Sequence, residues 1–224
     1  DVEVIKNEGL EVKPEFDEDL NIYEEETGLL DDIVPYTLNL NKEYSVPCSL
    51  GSFLADEMKD TAKSDIGFFS TGFIMKPMLY RPDENITNYA FQKTMIANTP
   101  VKTVELSAQD LKEVFQHSLK TNGYGSSNPR FLQCSNNIRI QGSDNPKENQ
   151  WDLKQIFIDD KPLFDKHGMP LDPNKKYSCA IDSYIADGGQ GFSLLQQKEK
   201  QDVIINGEPI KINEVLMNGL KQAP

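Results

Sequence analysis

The stretch Asp182-Ser183-Tyr184-Ile185-Ala186-Asp187-Gly188-Gly189-Gln190-Gly191-Phe192 gathers residue types suited to holding a ligand. Three glycines in four positions permit positive φ and let backbone approach a bound group closely, while Tyr184 and Phe192 flank them with flat apolar faces. Such a loop can grip a planar ring. The same residues also suit an ordinary turn whose aromatics plug a core, and both readings stay open on this ground. Other chemistry-bearing residues are sparse. The two histidines, His117 and His167, belong to no HExxH, DxH or GNHE type of cluster, so hydrolytic metal chemistry is not expected, and no catalytic residue or metal ligand is assigned. His117 follows the apolar Phe115 by two positions, a surface or boundary place on a helix. His167 sits in a Lys-His-Gly turn, where exposure is the default. No GxSxG elbow or P-loop occurs to support a serine triad or an ATP cradle.

The elements that must position such a loop come from a chain of 224 residues, 38% of them hydrophobic. That length fits one large domain, or a small domain with an appendage, and it suffices for a real core. A formal charge of -13 argues against a nucleic-acid partner, which needs clustered Lys and Arg to displace counterions. No apolar run approaches the ~18 residues of a membrane span, and the first residues lack the basic and apolar regions of a signal peptide, so a soluble chain is expected. Cys48, Cys134 and Cys179 form no CxxC spacing and cannot all pair with one another. They read as small buried apolar side chains. Asn85-Ile86-Thr87 is a glycosylation sequon, meaningful only in a secreted chain.

Residues 1–32 are conspicuously acidic and read as a solvated helix or linker; the alternating carboxylates and turn glycine of a Ca²⁺ loop are missing. From Ile33 onward, short β-like runs alternate with amphipathic stretches. Strands are expected over 33–38, where Pro35 confines the run to an edge, over 65–69 and over 101–106. Further strands are expected over 131–134, 138–140, 153–158 and 177–181. Helical spacing marks 50–63, through Phe53, Leu54, Met58 and Ala62, and also 87–96. The clearest helix begins at Ser107, with Asp110 three residues on and Leu111, Val114, Phe115 and Leu119 as its buried stripe. Residues 123–129 form a turn-rich loop. Without an even βαβ rhythm, an α+β domain over 33–224 is expected rather than a doubly wound fold.

Several of these segments, taken in order, resemble motifs of one family. Tyr177 to Phe192 looks like the "Y-x-V-A-x-x-x-[FY]-L-A-x-G-G-D-G-[FY]" ending of the C-terminal domain of the 5'-nucleotidases and UDP-sugar hydrolases. Pro170-Leu171-Asp172-Pro173-Asn174-Lys175-Lys176 resembles its "PLDPxKxY" lead-in. Leu50 to Met58 is similar to "LGNLIADAM", Val104-Glu105-Leu106-Ser107 with the following helix to "VVELTGxxLxxxLE", and Phe131 to Ser135 to "FLQVSG". The resemblance runs from about residue 33 to 195.

The resemblance implies a four-layer α/β/β/α sandwich that recognises a nucleotide or nucleoside. It also implies a separate N-terminal metallophosphoesterase domain that carries two divalent metal ions; this chain needs no cofactor of its own. Residues 1–32 then take the place of an interdomain helix or linker. Carried over residue by residue, it makes Tyr184 one of two rings that sandwich the base and puts Gln190, with Gly188 and Gly189, against the ribose. Phe192 closes the motif. The second ring falls at Ala97. The "NGGGIR" loop becomes Ser70-Thr71-Gly72-Phe73-Ile74-Met75, with Ser70 at the base-contacting position and Met75 in place of a phosphate-facing Arg. Lys76 and Arg139 are the candidate anion contacts, Lys76 without the bidentate fork of Arg. Two functions follow: a recognition domain of a 5'-nucleotidase-like hydrolase, or an interaction or scaffold domain with a protein partner that kept the fold after losing the ligand contacts. The family tilts localisation toward the periplasm, the cell surface or the extracellular space.

Overall fold

The computed structural model describes residues 32–35, 46–74, 85–87, 98–120, 128–145, 147–148 and 150–222. The acidic segment, most of the expected 87–96 helix, residues 123–127 of the turn-rich loop, and Met75, Lys76 and Ala97 lie outside them. In chain order the described elements begin with strand β1 (Asp32–Pro35), helix α1 (Ser49–Ala62), strands β2 (Ile66–Ser70), β3 (Asn85–Thr87) and β4 (Val101–Ser107), and helix α2 (Ala108–Ser118). Strands β5 (Leu132–Cys134), β6 (Ile138–Asn145), β7 (Gln150–Ile158), β8 (Lys161–Pro162) and β9 (Lys176–Asp182) follow. The chain then forms short helices α3 (Ser183–Ala186) and α4 (Ser193–Gln196), strands β10 (Lys200–Asp202), β11 (Ile204–Ile205) and β12 (Glu208–Pro209), and helix α5 (Ile212–Gln222).

A five-stranded mixed sheet in the order β10-β4-β9-β2-β5 lies at the centre. Strand β9 runs parallel to β2, pairing Ile66 with Cys179 and Phe68 with Ile181, and antiparallel to β4 along its whole length. All five residues of β2 are buried, as a strand covered on both faces requires. Alternation sends Phe69 into one core, with Leu50, Leu54 and Met58 of α1 and Val215, Leu216 and Leu220 of α5. Ile66 and Phe68 enter the other, with Leu111, Val114 and Phe115 of α2 and Leu153, Ile156 and Ile158 of β7. Strand β7 belongs to a second, three-stranded sheet, β6-β7-β8. Two helices, a sheet, a second sheet and α2 supply the components of the expected sandwich, with α2 packed against both β4 and β7. The fold is α+β.

Local chemistry explains the boundaries. Helix α2 opens with a capping box: the Ser107 hydroxyl accepts from Asp110 N at 3.1 Å, and Asp110 Oδ2 accepts from Ser107 N at 2.9 Å. Helix α1 closes on Lys63 in the left-handed region, φ 52°. Helix α1 crosses β2 so closely that a Cβ on Gly67 would stand 2.1 Å from the Ala55 carbonyl oxygen. Only glycine fits there.

Candidate functional site

The site forms where β2 and β9 end side by side. Ser70 closes β2 and Asp182 closes β9, after which the chain turns through α3 into Gly188-Gly189-Gln190-Gly191. Asp182 caps α3, its Oδ1 accepting from Ile185 N at 2.9 Å. Its other oxygen, Oδ2, is buried without a hydrogen-bond partner. Burial pushes this carboxyl up to about 7 against its cap bond. Beyond α3, Gly188 and Gly191 take positive φ of 93° and 86°, and Gln190 between them takes 55°. The backbone doubles back on itself.

That reversal brings the predicted residues together. The Ser70 hydroxyl lies 2.9 Å from Gln190 Oε1 and 2.7 Å from the Pro129 carbonyl oxygen, and accepts from Gly72 N at 3.2 Å. One hydroxyl proton cannot serve two carbonyls at once, so Pro129 and Gln190 compete for it. Gln190 Oε1 can therefore take a ligand donor in place of Ser70 at small cost. Tyr184 lies over Gly189, where a Cβ would stand 2.6 Å from the ring. Its ring meets Phe73 edge-on, centroids 5.9 Å apart at 70°, and remains 47% exposed. It is no core plug. An aromatic pair of this geometry fixes the ring's direction while leaving surface for stacking.

Other predicted residues are placed differently. Phe192 is buried beneath the loop, edge-on to His117 with centroids 4.6 Å apart. It supports the loop from below and presents no face to a ligand. Arg139 does not join the cluster. Its guanidinium lies over the Phe157 ring at 3.7 Å and pairs with Asp160 at 3.9 Å. The neighbouring Asn137 donates to the Asp65 carbonyl oxygen, at the opposite end of β2 from Ser70. Lys76 is outside the described residues. No group of metal-ligating side chains is present among the described residues, and no described helix is long and apolar enough to cross a membrane.

Two residues matter more than their spacing suggested. His117, expected at a surface or boundary, places Nε2 3.0 Å from the Gln190 carbonyl oxygen. Gln133 is fully buried; it donates to the Val46 carbonyl oxygen and to Thr71 Oγ1 and accepts from Cys48 N. The start of α1, the end of β2 and β5 are thereby tied into one frame. A lone buried Gln beside two cysteine- and serine-flanked segments carries no sequence signal of such a role, because its partners lie 62 to 87 positions away.

The profile of the family "5'-nucleotidase, C-terminal domain" matches residues 28–197. The 5'-nucleotidase of Diplobatis ommata is 25% identical over 162 residues, covering 67% of this chain and 27% of that protein. Among solved structures, the 5'-nucleotidase precursor of Thermus thermophilus superposes with a TM-score of 0.69 at 21% identity, over 92% of this chain and 40% of that one. The sulfate thiohydrolase SoxB of the same organism gives 0.61 at 15% identity, over 93% and 35%. At these identities the structures establish the fold alone. This chain spans about a quarter of the length of the curated relative. On the profile match, over most of its length, the chain belongs to the 5'-nucleotidase C-terminal domain family.

Proposed function

We propose that the chain is the nucleotide- or nucleoside-recognition domain of a 5'-nucleotidase-like metallophosphohydrolase, its catalytic chemistry residing in a separate dimetal domain. The observation that carries this reading is Tyr184: a half-exposed ring, edge-on to Phe73 and lying over Gly189, the residue next to Gln190. A base stacks on the ring while a ribose hydroxyl donates to Gln190. Two divalent metals held in that separate domain would supply the attacking hydroxide, and Tyr184 and Gln190 of this chain would position the substrate. An extracellular, cell-surface or periplasmic setting accords with the family.

A second reading, a non-catalytic interaction domain, draws on Arg139. With its guanidinium committed to Phe157 and Asp160, it holds no phosphate at the loop. The likeness to a sulfate thiohydrolase also speaks for one fold serving different ligands.

Thermal shift followed by calorimetry separates the readings, using nucleosides, nucleoside mono- and diphosphates, nucleotide sugars and phosphate alone. A saturable shift for one nucleotide class supports recognition. No shift at millimolar concentration for any member moves the assignment to a protein partner.

A further inference from the structure

We infer that His117 is the positioning residue of this site, setting the direction of Gln190 from outside the loop; the inference rests on the recognition reading above. Gln190 has φ 55° and ψ 19°, a left-handed conformation that a residue with a side chain adopts only when its surroundings hold it there. The bonds inside the loop are long: Gly191 N to the Gly188 carbonyl oxygen is 3.2 Å, and Phe192 N to that of Gly189 is 3.3 Å. His117 supplies the missing hold. A backbone carbonyl only accepts, so Nε2 carries the proton and donates across 3.0 Å to Gln190. The imidazole rests edge-on against Phe192 at 4.6 Å. Gly191 makes room for it, since a Cβ there would stand 3.3 Å from His117 Cε1.

His117 is itself anchored by the residue that follows it. The Ser118 carbonyl accepts from Asn128 Nδ2 at 2.7 Å, and its hydroxyl accepts from Leu132 N at 2.9 Å. The last turn of α2 is therefore a fixed post between β5 and the loop. With the Gln190 carbonyl held and the residue at φ 55° and ψ 19°, its Cα–Cβ bond points so that the side-chain amide oxygen reaches Ser70. His117 acts on a ligand only through Gln190.

The test uses the whole 224-residue chain with His117→Phe, which keeps a ring and loses the donor, and His117→Gln, which keeps a donor and loses the ring. In the ligand-free chain, amide exchange at Gly191 and Phe192 should quicken about tenfold in His117→Phe, the loss of one hydrogen bond, and return toward wild type in His117→Gln. Calorimetry with adenosine and AMP as probes should show affinity falling about tenfold in His117→Phe and recovering in His117→Gln. Unchanged exchange in His117→Phe overturns the inference, as does unchanged affinity where wild type binds. The exchange pattern without binding of either probe by wild type supports the hold on Gln190 and defeats the recognition reading instead. Should His117→Phe fail to fold, His117→Leu takes its place under the same criteria.

Discussion

Tyr184 decides between two uses of the same loop, because a ligand platform and a core plug respond differently to truncation. With the ring 47% exposed, Tyr184→Ala should weaken nucleoside binding by about 0.5–1.5 kcal/mol beyond lost area. Urea denaturation of the same variant should register well under the ~3–5 kcal/mol of a buried aromatic truncation. Asp182 gives a second residue-scale prediction. Burial raises its folded pKa to about 7, above the ordinary carboxyl value of 3.8, so the folded state binds the extra proton between these values. Stability from this group is full below pH 4 and is lost as pH rises through 7. Asp182→Asn keeps a carbonyl for Ile185 N and removes the buried charge. The unfolding free energy from urea denaturation should therefore fall less between pH 5 and 8 in the variant, by on the order of a few kcal/mol; identical pH profiles would refute the role. The neighbourhood of Tyr184, Gln190 and Ser70 is legible because each lies in a contiguous motif. His117 is not, since its partner Gln190 is 73 positions away and no spacing rule links them.

Elements were read best where a local signal sets them. The Ser107 capping box and the apolar stripe of α2 were both written in sequence, and Ser107→Ala should cost about 1 kcal/mol in chemical denaturation. Burial raises the Asp110 carboxyl, but Lys198 and the Ser107 donors outweigh it and hold the pKa low. Its stabilising share is thus present at neutral pH and fades as pH falls through the folded value. Gly67→Ala should destabilise by about 1–3 kcal/mol or more, because the new methyl meets the backbone of α1 rather than a movable side chain; a midpoint equal to wild type would contradict that contact. Strands β8, β10, β11 and β12 span two or three residues each, too few for a period to register. Helix α5 carries helical spacing in Ile212, Val215, Leu216 and Leu220, beyond the segment that the family motifs cover. Its register became evident only against α1, where Gly219 receives the Glu57 side chain.

At the scale of the molecule, composition says little beyond a chain long enough for a real core, and the ordered motifs carry the α+β fold. Their physical link is Gln133, which binds one motif segment to two others. If recognition is the domain's whole task, the chain alone with AMP and Mn²⁺ should release no phosphate above background. Release by the isolated chain would require ligands absent among the described residues. The central pairing of β9 has a temporal corollary. Asp65 and Ser178, 113 positions apart, meet at the start of the β2–β9 pair, so the sheet's middle strand leaves the ribosome after nearly everything it must join. Until then β2 exposes an unpaired edge beside Phe68 and Phe69, and nascent or truncated chains lacking β9 present that edge to one another. The loop of Tyr184 follows β9 immediately, so its organised form depends on β9 having joined β2 and β4, while the edge strand β10 is still to be made.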